Sequence, residues 1–299
     1  MTTAIGRRAR RRAGLHGYLY IAPWLVGFLA LTAYPFVVSL IYSFSDFDMF
    51  SRRFVGLSNY VRAFTDDKIF RDSLWLTLGY TAITVPAKLA VALFLAVLIN
   101  KDGRGIGLFR TAFYLPSILG GSVALAILWR YLFKSDGLVN MLLACFGAGA
   151  VNWLGDPDTA ILTLVFLPLW QMGAPMVLFL AALKTVPAET LEAARIDGAS
   201  ELRVFFSVTI PSISSVIFFN LIMQTIEIIQ LFTPAYVITQ GGPIKATYLF
   251  SLLIYDTAFR DFKMGYASSL SWVIFVIVIA YTIALFRTSA KWVFYEDKS

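Results

Sequence analysis

Glu192-Ala193-Ala194-Arg195-Ile196-Asp197-Gly198-Ala199, running on through Ser200 to Pro211, is the one charged helical passage set between long apolar ones. Pro187 is placed as the first residue of a helix. Glu189 and Glu192 fall in its first turns, where the positive end of the helix dipole favours them. Gly198 can take the left-handed conformation that closes a helix. A second short helix follows, with Ser200 as N-cap and Leu202, Phe205 and Phe206 on one apolar face. Pro211 then ends the unit and opens the next apolar run. The pattern predicts two short amphipathic helices, at an angle to each other, lying along a membrane surface.

The flanking sequence supplies the membrane. Of 299 residues, 59% are hydrophobic and only 14% charged, against about half and about a quarter in a soluble domain. Six stretches reach the roughly 20 apolar residues that a span needs: residues 18–44 (interrupted by Pro23 and Pro35), 74–99, 111–133, 159–183, 211–232 and 268–286. The expected fold is all-α and polytopic, with a basic tail at 1–17, a six-span domain at 18–290 and a tail at 291–299. The positive-inside rule orients it. Arg7, Arg8, Arg10, Arg11 and Arg12 precede the first span, and Lys101, Arg104, Arg110, Lys184, Arg195, Arg203, Arg287 and Lys291 lie on the same side. Both termini and the Glu192 loop are therefore expected to be cytoplasmic. The arginine cluster also has the look of a signal-peptide n-region or twin-Arg signal, but the run after it exceeds a cleavable h-region and lacks a small-residue cleavage site.

Residue counts narrow the chemistry. One cysteine (Cys145) and one histidine (His16, in the tail) leave nothing for a disulfide framework, a Ser-His or Cys-His pair, or a multi-His metal site. A six-span serine protease fails on that count. Gly103, Gly105 and Gly107 form a Gly-x-Gly-x-Gly run without the Gly-Lys-Ser/Thr ending of a P-loop, which reads as a turn and not a phosphate cradle. With no Walker sequence, the chain is not expected to hydrolyse ATP.

Polar residues within spans mark a pathway or a helix contact. Asn220, Gln224 and Glu227 recur at i, i+4, i+7 on one face of the fifth span, with Gln230 to one side. Amides and carboxylates supply the donors and acceptors that a sugar needs. Lys88 lies mid-way along the second span, too deep to snorkel, and either pairs with Glu227 or faces the pathway. Gln171, with Trp170 and Trp129, is a further candidate, although Trp in a span is commonly an interfacial anchor.

Glu-Ala-Ala, three residues, Gly, nine residues and a final aliphatic-x-aliphatic-Pro resemble the EAA loop of ATP-binding cassette importer permeases, with Val208 and Ile210 where Ile and Leu are more usual. Asp197-Gly198-Ala199 resembles the carbohydrate-uptake branch, of maltose and glycerol-phosphate type. Further likeness lies in Phe54–Tyr60, Gly107–Thr111, Tyr114-Leu115-Pro116, Asn152–Pro157, Tyr236–Pro243 and Ala258–Ala267, so the resemblance covers nearly all of residues 18–290. It implies a type I importer permease in a prokaryotic inner membrane, working with a second, related permease, two ATPase subunits that hold ATP and Mg, and an extracytoplasmic solute-binding protein. It implies that Glu192, Ala193, Ala194, Asp197, Gly198, Ala199, Phe205 and Pro211, within a loop at 187–211, dock the ATPase. It implies too that Gln240, Gly241, Gly242 and Pro243 lie near the binding protein. No catalytic residue, metal or cofactor is expected on this chain. A sugar is the expected solute, with glycerol phosphate, a polyol or another organic solute as the alternative. An ion-driven secondary transporter is the rival class; Glu227 alone favours it, and it has no use for a docking loop.

Overall fold

The computed structural model describes residues 20–48, 50–101, 103 and 105–294. The arginine tail with His16, Arg104 and residues 295–299 lie outside the described residues. In chain order the helices are α1 (Tyr20–Ser43), α2 (Ser58–Thr65), α3 (Lys68–Leu98), α4 (Ile106–Ile118), α5 (Val123–Leu132), α6 (Leu138–Cys145), α7 (Pro157–Trp170), α8 (Gly173–Thr185), α9 (Ala188–Ile196), α10 (Glu201–Ser212), α11 (Ser214–Ile229), α12 (Phe250–Tyr255) and α13 (Met264–Ser289). Between α1 and α2 a hairpin pairs β1 (Ser45–Phe47) with β2 (Arg52–Phe54), a small departure from an all-α chain. The described residues group into two compact units, one lying within 20–66 and 256–274, the other within 67–255 and 275–294.

α1, α3 and α13 are each long and apolar enough to cross a membrane unbroken. Three bent pairs bring the candidate spans to six if each is counted as one: α4 with α5 at 106°, α7 with α8 at 43°, and α10 with α11 at 69°. Two of the stretches expected to be single helices, the third and the fourth, are therefore broken, whereas the fifth holds one unbroken helix, α11. The third breaks at residues 119–122, where Gly121 takes φ +71° and Ser122 caps α5 by accepting from Leu125 N–H at 3.2 Å. The fourth breaks after Trp170, where Gln171 leaves helical geometry. Helix ends also differ from expectation. Asp67 caps α3 by accepting from Phe70 N–H at 2.9 Å, which starts the second span six residues before Leu74.

Pro211 does not end the two-helix unit. α10 runs through it, and the break comes at Ile213. A proline lacks the N–H for its turn and crowds the carbonyl four residues back. The backbone answers by widening the preceding turn to i→i+5 bonding over Phe205–Thr209, and does the same over Leu29–Ala33 before Pro35.

In the first unit, the buried Asn59 of α2 donates to both Ser43 O and Ser45 O at 3.0 Å, closing the end of α1 onto the hairpin. Tyr60 adds a hydrogen bond to Ser43 Oγ at 2.8 Å. Trp272 of α13 donates to Ser39 Oγ at 3.2 Å and stacks near Phe36.

In the second unit α3 is the central post, packing on α7, α8, α11 and α12. Two of its polar groups tie it to its neighbours: Tyr80 O–H donates to Leu164 O at 2.9 Å, and Thr77 Oγ1 accepts from Phe250 N–H at 2.8 Å. The broken spans α4 and α8 meet where Ser117 Oγ donates to Gln171 O at 3.0 Å and accepts from Ala174 N–H at 3.2 Å, so one hydroxyl serves the backbone that the bend leaves open. A Cβ on Gly173 would stand 2.6 Å from Phe113 O and 2.7 Å from Tyr114 Cα. Gly173→Ala is therefore expected to destabilise by ~1–3 kcal/mol through forced separation of the two backbones. Gly79→Ala, whose Cβ meets nothing within 4 Å, is the matched control. Thermal unfolding of the two variants in detergent separates them, and equal melting temperatures would contradict the close-approach argument.

Candidate functional site

The Glu192 loop forms two helices, as its sequence predicts, but with a different exposed surface. Pro187 serves as the N-cap of α9 and not its first residue. Gly198 takes φ +80°, with Gly198 N–H to Arg195 O at 3.0 Å and Ala199 N–H to Ala194 O at 3.1 Å closing the helix. Ser200 holds the N-cap position of α10 by backbone geometry, with no side-chain cap bond. α9 buries none of its residues: Glu192, Ala193, Asp197 and Gly198 are exposed, Ala194 and Ala199 half-buried. A nine-residue helix with no buried face is marginal in water. Ile196 is 86% exposed, and Leu202 and Phe206 are also exposed. The face expected from Leu202, Phe205 and Phe206 is thus split, since Val204 is buried and Phe205 half-buried on the inner side.

Beneath the loop lies a cavity of about 590 Å³, walled by Leu93, Phe94 and Val97 of α3, Leu183 of α8, and Val204 and Phe205 of α10. Across the Gly198 turn, Arg195 Nε meets Glu201 Oε1 at 2.8 Å and Nη2 meets Oε2 at 3.2 Å. This two-pronged contact ties α9 to α10 and was not foreseen from the sequence; the signal was there in two opposite charges flanking the glycine. Its hydrogen bonds to Arg195 hold the Glu201 carboxyl below its ordinary value and raise the guanidinium above its own. A carboxyl with a depressed value keeps its contribution above its unfolded pKa and loses it as pH falls through the lowered folded one. The tie is therefore expected to persist from neutral pH into the ordinary glutamate range. Glu201→Gln should loosen the Gly198 turn at pH 7 and at low salt, read as faster amide exchange over residues 195–201, and unchanged exchange would show that the tie does not hold the two helices together.

Lys88 and Glu227 come together. Lys88 Nζ lies 3.3 Å from Glu227 Oε1. The lysine is 1% exposed and the Glu227 side chain 55% exposed, so the pair has one buried partner and one that this chain leaves open. The rest of that face is mixed. Asn220 is buried and donates to Val216 O of its own helix at 3.0 Å. Gln224 is buried, and its Oε1 has no partner among the described residues. Gln230 is exposed at the C-cap of α11. Gln171 sits at the bend of the fourth span, where its buried Nε2 has no partner among the described residues. Trp129 is no interfacial anchor: it is buried, donates to Thr163 O at 3.0 Å and stacks 5.5 Å from the half-open Trp170.

In the turn after the fifth span, Gln240 is exposed and has φ +52°. Gly241 is buried against Tyr248, and Gly242 and Pro243, joined by a cis peptide, are half-buried. The outward groups include Ile244 and Lys245, which the composition of the turn did not single out.

Three comparisons bear on this arrangement. The sequence profile of the binding-protein-dependent transport system inner membrane component family matches residues 70–293. Among curated proteins, the chain is 45% identical over 295 residues to the probable ABC transporter permease protein YesP of Bacillus subtilis (strain 168), covering 97% of this chain and 96% of the relative. It is 34% identical to the lactose transport system permease protein LacF of Rhizobium radiobacter (93% and 95% covered) and to the sn-glycerol-3-phosphate transport system permease protein UgpA of Escherichia coli O157:H7 (90% and 92%). Among solved structures, a chain of a bacterial ABC transporter that imports the acidic polysaccharide alginate shares the fold at TM-score 0.82, with 19% identity over 96% of this chain and 98% of that one.

Proposed function

Because the chain belongs to the family of binding-protein-dependent transport system inner membrane components, it is a multi-pass permease subunit of an ATP-binding cassette importer, and we propose that it passes a sugar or sugar-like solute by alternating access. The observation that carries this reading is the two-helix loop of α9 and α10. A helix, α9, that buries nothing of its own and turns Ile196 outward, beside the outward Leu202 and Phe206 of α10, is built to be covered by another protein. An ATPase subunit holding ATP and Mg is that protein, since the chain carries no nucleotide motif. ATP-driven closure of the ATPase dimer moves α9 and α10 as levers, and the joined α10–α11 bend carries the motion into the fifth span. Solute released by the binding protein then meets the α11 polar face, and hydrolysis restores the inward state.

The binding protein docks on the turn at Gln240–Pro243, a second related permease completes the channel, and both termini lie in the cytoplasm with the loop. A solved relative is described in complex with a periplasmic protein bound to alginate pentasaccharide, which supports such a partner. The relatives' names span lactose and glycerol phosphate, so a polyhydroxy solute with or without a phosphate is the class proposed. Its hydroxyls would pair with Gln224 Oε1, Gln171 Nε2 and the open side of Glu227, polar atoms that the bundle leaves without partners or open.

Uptake of a labelled sugar panel by the reconstituted complex tests this. Gln224→Leu and Gln171→Leu should each raise the half-saturation concentration several-fold and leave unstimulated ATPase unchanged. If neither moves it for any transported solute, the pathway does not run along these residues.

A further inference from the structure

α2 is the only helix of eight or more residues in the segment that joins the ends of the first two spans, and its two sides differ. Asn59 and Ala63 are buried toward its own unit. Leu57, Val61 and Phe64, at i, i+4 and i+7, form one stripe on the opposite side, and all three are exposed. Ser58, Arg62 and Thr65 make a polar flank between the two faces. The hairpin before α2 adds exposed Phe50 and Phe54, with Arg53 exposed on the same strand as Phe54. Asn59 fixes the helix at the very end of α1 through its bonds to Ser43 O and Ser45 O.

We infer that the Leu57-Val61-Phe64 stripe of α2 rests in the bilayer interface, with phospholipid as its partner. Position argues for lipid. α1, a helix long and apolar enough to cross a membrane, ends at Ser43, and α2 follows it within the same unit after only the short hairpin. A helix pinned to the last carbonyl of that span and to the first of the hairpin lies at the span's end, where an apolar stripe with a polar flank enters the headgroup–acyl boundary. Charge does not carry the assignment, since Asp46, Asp48, Asp66 and Asp67 offset Arg52, Arg53 and Arg62, and Arg62 lies 4.9 Å over the Tyr266 ring; the exposed apolar stripe at the end of a span does. The device would give the connecting segment a fixed depth, through the two hydrogen bonds that the Asn59 amide donates to Ser43 O and Ser45 O.

Site-directed spin labelling of the assembled transporter tests this in nanodiscs of phosphatidylethanolamine and phosphatidylglycerol. Cys145→Ser supplies the background, and Val61→Cys, Phe64→Cys and Ser58→Cys carry the label one at a time. The expected result is a ratio of oxygen to nickel-chelate accessibility several-fold greater at 61 and 64 than at 58. High nickel-chelate accessibility at 61 and 64 would place the stripe in water and overturn the inference. Low accessibility to both reagents would place it under another protein and overturn it equally. Because the readout is depth and not uptake, its failure leaves the transport reading standing, and a transport failure leaves it intact.

Discussion

Replacing Glu227 by alanine is expected to destabilise the protein by about 3 kcal/mol, and replacing Lys88 by methionine by markedly less. The asymmetry follows from the geometry of the pair. Lys88 is sealed inside the second unit, and Glu227 is more than half open. Removing the carboxylate strands an ammonium among apolar side chains at membrane depth, where no water reaches it. Removing the ammonium leaves a carboxylate that this chain does not bury. Lys88→Met combined with Glu227→Gln should recover most of the loss, because no uncompensated charge remains. The exchange Lys88→Glu with Glu227→Lys should recover less, since it moves the open member to the buried position. Melting temperatures of the four proteins in lipid decide it. Equal losses for the two single variants would show that Lys88 is hydrated in the membrane-embedded state, and the pair would then be an exposed one of little consequence.

The sequence carried the spans and the two helices of the Glu192 loop further than it carried their interruptions. Hydropathy finds a span from its total apolar content, and that content is unaffected by a bend. The 106° break of the third span rests on Gly120-Gly121 and the Ser122 cap, three residues whose effect on direction has no hydropathy signal. The same holds for Pro211, where the chain absorbs the missing donor in a widened turn and breaks two residues later. The ion pair of Lys88 with Glu227 was legible because each is improbable alone in a span. The Arg195–Glu201 tie was not, since two charges in a solvated loop carry no such pressure.

Within the polar face of α11, periodicity placed Asn220, Gln224 and Glu227 on one side, and that much follows from 3.6 residues per turn. What each side chain meets depends on which helix packs at that height, and Asn220 turned inward onto its own backbone while Glu227 stayed open. Exposure of Ile244 and Lys245 in the turn beyond is likewise a property of how that turn is folded, both having positive φ.

Gly198→Asp is expected to cut solute-stimulated ATPase and uptake about tenfold or more while the complex still assembles. Gly198 holds φ +80°, and a residue with a Cβ pays ~1–2 kcal/mol to stay there, which is roughly a tenfold loss in the population of the native turn. Space is not the obstacle, because a Cβ at this position meets nothing within 4 Å. The change therefore acts on the angle between α9 and α10 and leaves the packed spans alone. It also sets a second acidic group beside Asp197, next to the exposed Ile196 that an ATPase subunit would cover. Gly198→Asn separates the two effects: asparagine tolerates the left-handed region better than other side chains and adds no charge, so it should keep most of the stimulation. If both variants assemble and respond to loaded binding protein as the wild type does, the angle of the two helices is not what transmits the ATPase motion, and the lever reading of α9 and α10 fails. If both fail to assemble, the turn is needed for docking itself, and a purified ATPase subunit should then bind the wild-type complex and not either variant.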